Sequence, residues 1–232
     1  MISALKKLIH ESERRKLLQF VGSLSAQHSQ PLKILDVGCG YGANLAPLHQ
    51  LGHQVMGAEI NAIIVGENRK KSLQCFTPTE LKTNGTGGFD LIVMSHVIEH
   101  FTPESLIKFV DEYLDLLKPN GHLLIVTPLL TDYFYDDFDH VKPYQPLGFK
   151  MVFSTELAQV QYYSRNKLML KDLWFRKSFY RIHHARGRHI RSFDSAVLKL
   201  IDYTCIFFYL LTLRQFGKTD GWIGLFQKRE SV

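Results

Sequence analysis

Residues 36–43, Asp36-Val37-Gly38-Cys39-Gly40-Tyr41-Gly42-Ala43, follow directly on the apolar run Leu32–Val37. An acid and three alternating glycines at the end of a strand permit a sharp turn and let a ligand approach the backbone closely. A helical stretch from Ala43 to Leu51 comes next, with its amino end toward the same ligand. Glu59 closes the second apolar run, Gln54–Ile60, about 20 residues after the first acid. A carboxylate there can accept hydrogen bonds from both hydroxyls of a ribose.

Gly38, Gly40 and Ala43 also satisfy the G-x-G-x-x-[G/A] pattern of dinucleotide sites. The glycines alone therefore leave NAD and S-adenosylmethionine both open. An acid at position 36 would repel a pyrophosphate and suits the amine of a methionyl group, directly or through water, but the choice between them falls to the rest of the chain.

Three further groups could do chemistry. His96-Val97-Ile98-Glu99-His100 matches the H-x-x-E-H pattern of inverted zinc peptidases, but that pattern needs a helix, and here it straddles the end of an apolar run. No metal site is expected from it, and Glu99 and His100 read first as structural. Asp132, Asp136, Asp137 and Asp139 alternate with Tyr133, Phe134, Tyr135 and Phe138. This reads as a solvated acidic loop, or else as a substrate lid whose aromatic faces could meet a cation; its spacing fixes no metal. Asp139-His140-Val141-Lys142-Pro143-Tyr144 offers His140, a side chain suited to taking a proton from a hydroxyl near neutral pH. The alternative is that His140 packs or caps a turn.

The elements that must position these groups alternate. Strands are expected at 32–37, 54–60, 73–76, 89–95, 122–126 and 222–228. Helices are expected after the glycine turn, after Asn61 as a cap, and from Thr102-Pro103-Glu104 to Leu117. Phe89–Ser95 is a continuous apolar run, as in a parallel sheet covered on both faces. The alternation argues a doubly wound α/β fold over 30–130, preceded by an N-terminal helix within 1–29 and followed by a less regular region, 131–221, before the last strand at 222–228. A chain of 232 residues suits a single such domain.

The net charge is +6, and it is uneven. From Arg165 to Arg191 there are nine Lys/Arg against one acid, Asp172, so an anionic partner should meet the protein there. That stretch reads first as a solvated surface helix with an aromatic stripe. The run AVLKLIDYTCIFFYLLTL after it reads first as a core helix packed on the sheet. Together, 165–215 also fit peripheral contact with a membrane surface. A nucleic-acid partner is disfavoured, since no recognised binding module is visible. Cys39, Cys75 and Cys205 lack metal or disulfide spacing and fit a reducing, cytoplasmic location. The charged N-terminus does not read as a signal peptide, and no run reaches the length needed to span a bilayer.

Four stretches in register, KILDVGCGYG, VMGAEIN, FDLIVMSHVIEHF and LLKPNGHLLIVTP, resemble class I S-adenosylmethionine-dependent methyltransferases in order and spacing. The resemblance covers about residues 30–130 and extends loosely to 222–228. It implies a mostly parallel seven-stranded sheet with helices on both faces, an extra N-terminal helix, a helical insertion before the last strand, and S-adenosyl-L-methionine as methyl donor. Asp36, Gly38, Gly40 and Gly42, with Cys39 and Tyr41 between them, would line the methionine side. Glu59 would hold the ribose with Ile60 beside the adenine, and Met94, Ser95 and His96 would flank the sulfonium. Many members carry an acid after the third strand, facing the adenine amine. Here the region reads LQCFTPTELK, where Thr77, Thr79 or Glu80 would substitute. The Asp139–Tyr144 run resembles a D-x-x-H-V-[RK]-P-[FY] loop of some methyltransferases of surface-polysaccharide assembly. On that likeness His140 is the first base candidate and His100 the second.

The acceptor implied is a small molecule or glycan hydroxyl. Other readings are a methyltransferase acting on a membrane-associated lipid or quinone, a protein that holds S-adenosylmethionine without catalysis, and an NAD-dependent oxidoreductase.

Overall fold

A computed structural model describes residues 2–154, 160–180 and 193–229, with side chains described from residue 11 and from residue 197 in the first and last helices. Five parallel strands, β1 (Lys33–Val37), β2 (Gln54–Ala58), β3 (Cys75–Phe76), β4 (Phe89–Ser95) and β5 (Leu117–Pro128), form most of one sheet. β6 (Leu168–Ser178) and β7 (Lys218–Lys228) complete it in the order β3-β2-β1-β4-β5-β7-β6. β7 runs antiparallel to both of its neighbours.

The strand order reverses between β1 and β4, so a crevice opens at their carboxyl ends, the usual place for a ligand in an open α/β sheet. β1 pairs with β2 from Lys33↔Gln54 to Val37↔Ala58, and with β4 from Ile34↔Leu91 to Val37↔Met94. The ends of all three strands therefore lie level. Apart from Asp36, which lies within β1, the chemical groups of the first two motifs sit just beyond that line.

Both faces of the sheet are covered. Leu17, Phe20, Val21 and Leu24 of α1 (Ile2–Ser25) pack with Leu45 and Leu48 of α2 (Leu45–Gln50) and Val65 of α3 (Ala62–Lys70) on one face. Leu81 of α4 (Pro78–Thr83), Leu106, Val110 and Leu114 of α5 (Pro103–Leu114), and Phe149 and Phe153 of α6 (Pro146–Phe153) cover the other. Local chemistry sets the helix starts. Asn61 accepts from the Ile63 and Ile64 amides, and Thr102 caps α5 with Pro103 in the first turn.

Three expectations need correction. The seventh strand is β6, which lies inside the basic stretch that read as a surface helix. Its register shifts twice against β7, at Leu170/Asp172 and Arg176/Lys177, and this erases the apolar alternation by which a strand is recognised. Of that stretch, residues 181–192 lie outside the described residues. The apolar run near 200 is a helix, α7 (Phe193–Leu211), but not a core helix: it buries Ile206 and Tyr209 against Phe179, while Leu200, Phe207, Phe208, Leu210 and Leu211 face outward. α5 ends at Leu114 and β5 starts at Leu117, so Lys118–Gly121, which read as a turn, forms an irregularity within β5's pairing to β4.

Candidate active site

The turn after β1 is tied to the end of β2. The amides of Gly38 and Cys39 both donate to the Ala58 carbonyl, at 2.8 and 3.1 Å. The Gly40 amide donates to Glu59 Oε2 at 3.0 Å, and the Asn61 amide holds Oε1 at 2.9 Å. Glu59 thus lies at the mouth of the glycine turn, half-buried, with lone pairs left on both oxygens. Gly38 (φ +69°) and Gly42 (φ +82°) adopt left-handed backbone, and a Cβ on Gly38 would lie 2.6 Å from Val97 Cγ2.

A cleft of about 320 Å³ opens beside this turn, lined by Gly38, Cys39, Ala43 and Asn44, by Ser95 and His96 beyond β4, and by Glu13, Arg14 and Leu17 of α1. It brings together four of the expected cofactor residues. The others fall around it. Tyr41 and Ile60 are exposed. Asp36 lies under the floor beside Asn44, completely enclosed, and neither of its oxygens receives a full hydrogen bond. Burial pushes its carboxyl up to about 7, and the Asn44 side chain offsets only part of that.

Two expected contacts are not of the kind anticipated. The Met94 side chain is fully buried in the core on the α5 face, so it reaches no cleft. The Cys39 thiol turns inward to Cys75 Sγ at 3.5 Å, where the missing side chain of Gly57 makes room for it. Burial and the neighbouring thiol push it well above the usual cysteine range, which makes it inert. On the adenine side, Thr77 and Glu80 are engaged with one another in a capping box at the start of α4, and Glu80 also holds Arg69 at 2.8 Å. On the Glu80 side chain all of these contacts fall on Oε2.

His96 (φ +56°) presents its ring between two carboxylates, Nε2 at 2.9 Å from Glu13 Oε1 and Nδ1 at 3.3 Å from Glu99 Oε1. Burial works against its charge, but the two acids outweigh it and raise the imidazole to about 9. Glu13 in turn pairs with Arg176 of β6, which pairs with Asp220 of β7 at 2.8 Å. Three acids and two cations thus form a chain beside the cleft, and Arg14 adds a third cation at its wall. Sequence reasoning missed Glu13, Arg176 and Asp220, because nothing local marks partners separated by 83 and 163 residues.

The two base candidates meet. Ile98–His100 forms one 3₁₀ turn, and the Glu99 carbonyl accepts from the Val141 and Lys142 amides, at 2.8 and 3.1 Å. This docks the 139–142 loop against the turn. The His100 and His140 rings stand 5.0 Å apart, edge to face. His140 Nδ1 donates to the Phe134 carbonyl at 2.7 Å, and His100 Nδ1 donates to the Asp139 carbonyl at 3.0 Å. Since a carbonyl only accepts, the neutral form of each ring carries its lone pair on Nε2. The acidic–aromatic run is largely solvated, with Tyr135, Asp136, Asp137 and Phe138 exposed and Phe134 buried against His140.

A mostly parallel sheet with this strand order, a glycine turn bonded to an acid one strand over, and a cleft at the switch point define a doubly wound α/β protein with a ligand cleft. The match to the methyltransferase-domain family model, over residues 9–201, goes further: this chain belongs to that family. Among curated relatives, a ubiquinone biosynthesis O-methyltransferase from Chelativorans is 28% identical over 110 residues, 44% of this chain and 43% of that protein. The match thus spans less than half of that relative's length. Two solved structures share the fold. A SAM-dependent methyltransferase from Archaeoglobus fulgidus has a TM-score of 0.60 at 19% identity, covering 94% of this chain and 93% of that one. Magnesium protoporphyrin IX methyltransferase from Synechocystis, with bound S-adenosylhomocysteine, scores 0.62 at 12% identity, covering 99% and 87%.

Proposed function

We propose that the chain transfers the methyl group of S-adenosyl-L-methionine to a hydroxyl of a small-molecule or glycan acceptor, as a single methyltransferase domain over residues 1–232. The observation that supports this reading is the Gly40–Glu59 hydrogen bond, which holds a carboxylate beside the acid–glycine turn. In this reading Glu59 takes the ribose hydroxyls with Ile60 beside the adenine. Gly38, Gly40 and Gly42 cradle the methionyl portion, with the backbone of Cys39 and Tyr41 between them. Asp36 attracts the amine from beneath the floor, and Ser95 and His96 border the sulfonium. Residues 131–221 supply the acceptor side.

Methyl transfer is an in-line displacement with a neutral thioether as leaving group, so alignment and exclusion of water are the main tasks. A hydroxyl acceptor also loses a proton, and His140 Nε2, with His100 Nε2 beside it, is the basic atom offered. Conversion of S-adenosylmethionine to S-adenosylhomocysteine in the presence of fractionated acceptors tests this. Acceptor-dependent product is expected, while cofactor binding with no product from any hydroxylated fraction would leave only a holding role.

A membrane-associated lipid or quinone acceptor is a second reading. The outward apolar face of α7 favours it, with Lys199 on the same helix and Lys177 and Arg214 near its far end. The relatives' names in ubiquinone biosynthesis agree with it. Among the described residues no helix is long and apolar enough to cross a membrane, so contact would be peripheral. Flotation with anionic vesicles should retain the wild type and release Phe207→Glu/Leu211→Glu. If the wild type stays in the unbound fraction, this second reading is lost and the first stands.

A further inference from the structure

A second cavity, of about 590 Å³, lies between α2, the start of β2 and the Lys71–Gln74 link from α3 to β3. It shares no lining residue with the cofactor cleft. Leu45, Val55, Met56 and Leu73 give it an apolar floor, while its exposed rim carries Lys71, His49 and Ser72 and, among the described residues, no acid. One lining side chain is polar, buried and unsatisfied. His53 is 6% exposed, and its Nδ1 has no hydrogen-bond partner. A buried ring nitrogen left this way is costly unless a ligand comes to it. Burial also holds this imidazole below its ordinary range, which favours the neutral ring.

The same floor backs the cofactor turn. A Cβ on Gly42 would lie 2.7 Å from Leu73 Cδ1 and 3.6 Å from Leu45 Cδ1, so these two side chains pack directly against the turn. Lys71 reaches it from the rim: Nζ donates to the Tyr41 carbonyl at 3.4 Å and stands 5.6 Å from the centre of the Tyr41 ring.

We propose that this cavity is a second ligand site, taking a small organic anion whose apolar body rests on Leu45, Val55, Met56 and Leu73 and whose carboxylate or phosphate meets Lys71. Its volume is that of an ordinary small-molecule site, about 300–1,000 Å³. The floor selects the apolar body, and a rim with a cation and no acid selects the charge. A neutral His53 adds an N–H that orients the ligand after a small turn of the ring. Occupancy is coupled to the cofactor turn. The Lys71–Tyr41 contact is long, and an anion competes for the ammonium, which releases Tyr41. A ligand here therefore weakens cofactor binding, and the cofactor weakens the ligand by the same factor. The coupling, unlike the site, rests on the S-adenosylmethionine reading.

The test titrates the full chain, carbon-13 labelled at its methyl groups, with phenyl phosphate, with benzoate and with uncharged benzyl alcohol. Either anion should shift the methyl resonances of Leu45, Val55, Met56 and Leu73 saturably, and the tighter of the two names phosphate or carboxylate as the head group. Lys71→Ala, a change at an exposed position, should weaken the anion about tenfold. His53→Leu, which removes the unsatisfied nitrogen, should keep a cooperative melt and also bind more weakly. No saturable shift with either anion overturns the proposal. So does benzyl alcohol binding as tightly as the anions, or affinity that Lys71→Ala leaves unchanged. Saturating anion should lower S-adenosylhomocysteine affinity about fivefold or more in the wild type and not in Lys71→Ala. Anion binding with unaltered S-adenosylhomocysteine affinity keeps the site and removes the coupling. Anion binding by a chain that takes no S-adenosylhomocysteine keeps the site and removes the cofactor reading.

Discussion

Replacing Asp36 with Asn should stabilise the ligand-free protein at pH 8 and at the same time weaken S-adenosylhomocysteine binding by about tenfold to a hundredfold, one or two charge-assisted contacts' worth. Both effects come from one buried carboxyl. It titrates near 7 in the folded chain and near 3.8 when unfolded, because burial disfavours its charge. Between those values the unfolded chain has released the proton and the folded chain still holds it. Stability therefore falls as pH rises from about 4 to about 7, by a total of about 4 kcal/mol, and stays low above. Asn carries no such term, although its buried amide costs about 1–3 kcal/mol if left unpaired. The net gain at pH 8 should be about 1–3 kcal/mol and should turn into a deficit of about 1–3 kcal/mol near pH 4, where only the cost of the amide remains. Urea denaturation at both pH values measures it. A wild type whose stability does not decline between them would refute the assignment. Cofactor affinity of the wild type should rise over the same interval as the carboxylate forms, and that rise should be absent from the Asn variant.

Arg176→Ala should be among the most damaging single changes outside the hydrophobic core, costing about 3–5 kcal/mol. Arg176 is buried, and it is the shared partner of Glu13 on α1 and Asp220 on β7. Removing it takes the cation from buried Asp220, leaves His96 as the remaining cation at Glu13, and cuts the tie between α1 and β6. Arg176→Lys should recover little, since one ammonium cannot reproduce a guanidinium that donates from Nε, Nη1 and Nη2 to three acceptors. Thermal melts decide this. A drop of only a degree or two for Ala would mean that the chain of charges is ornamental.

The core of the fold was legible because its signals are local. Leu32–Val37 with its glycines, Phe89–Ser95 and the Asn61 and Thr102 caps each occupy one short window, and the strand-to-strand spacing then brings Glu59 to Gly40. β6 was not legible, since two register shifts and interleaved cations break its alternation on an exposed edge. α7 was misjudged because composition reports how apolar a helix is, not whether anything covers it. Met94 stands beside Ser95 at the end of β4, yet alternation along the strand turns its side chain to the core and leaves Ser95 at the cleft. His100 and His140 were each singled out. Their meeting depends on the Glu99 carbonyl capturing the 139–142 loop, a contact between residues about forty positions apart.

The central claim is that the turn after β1 and the carboxylate after β2 form an adenosyl-sulfonium site. Calorimetric titration of the wild type with S-adenosylhomocysteine and, separately, with NAD tests it most directly. The expected result is one S-adenosylhomocysteine per chain, sharply weakened in Glu59→Ala, with no heat from NAD. Binding of NAD instead, or S-adenosylhomocysteine affinity that Glu59→Ala leaves intact, would contradict it.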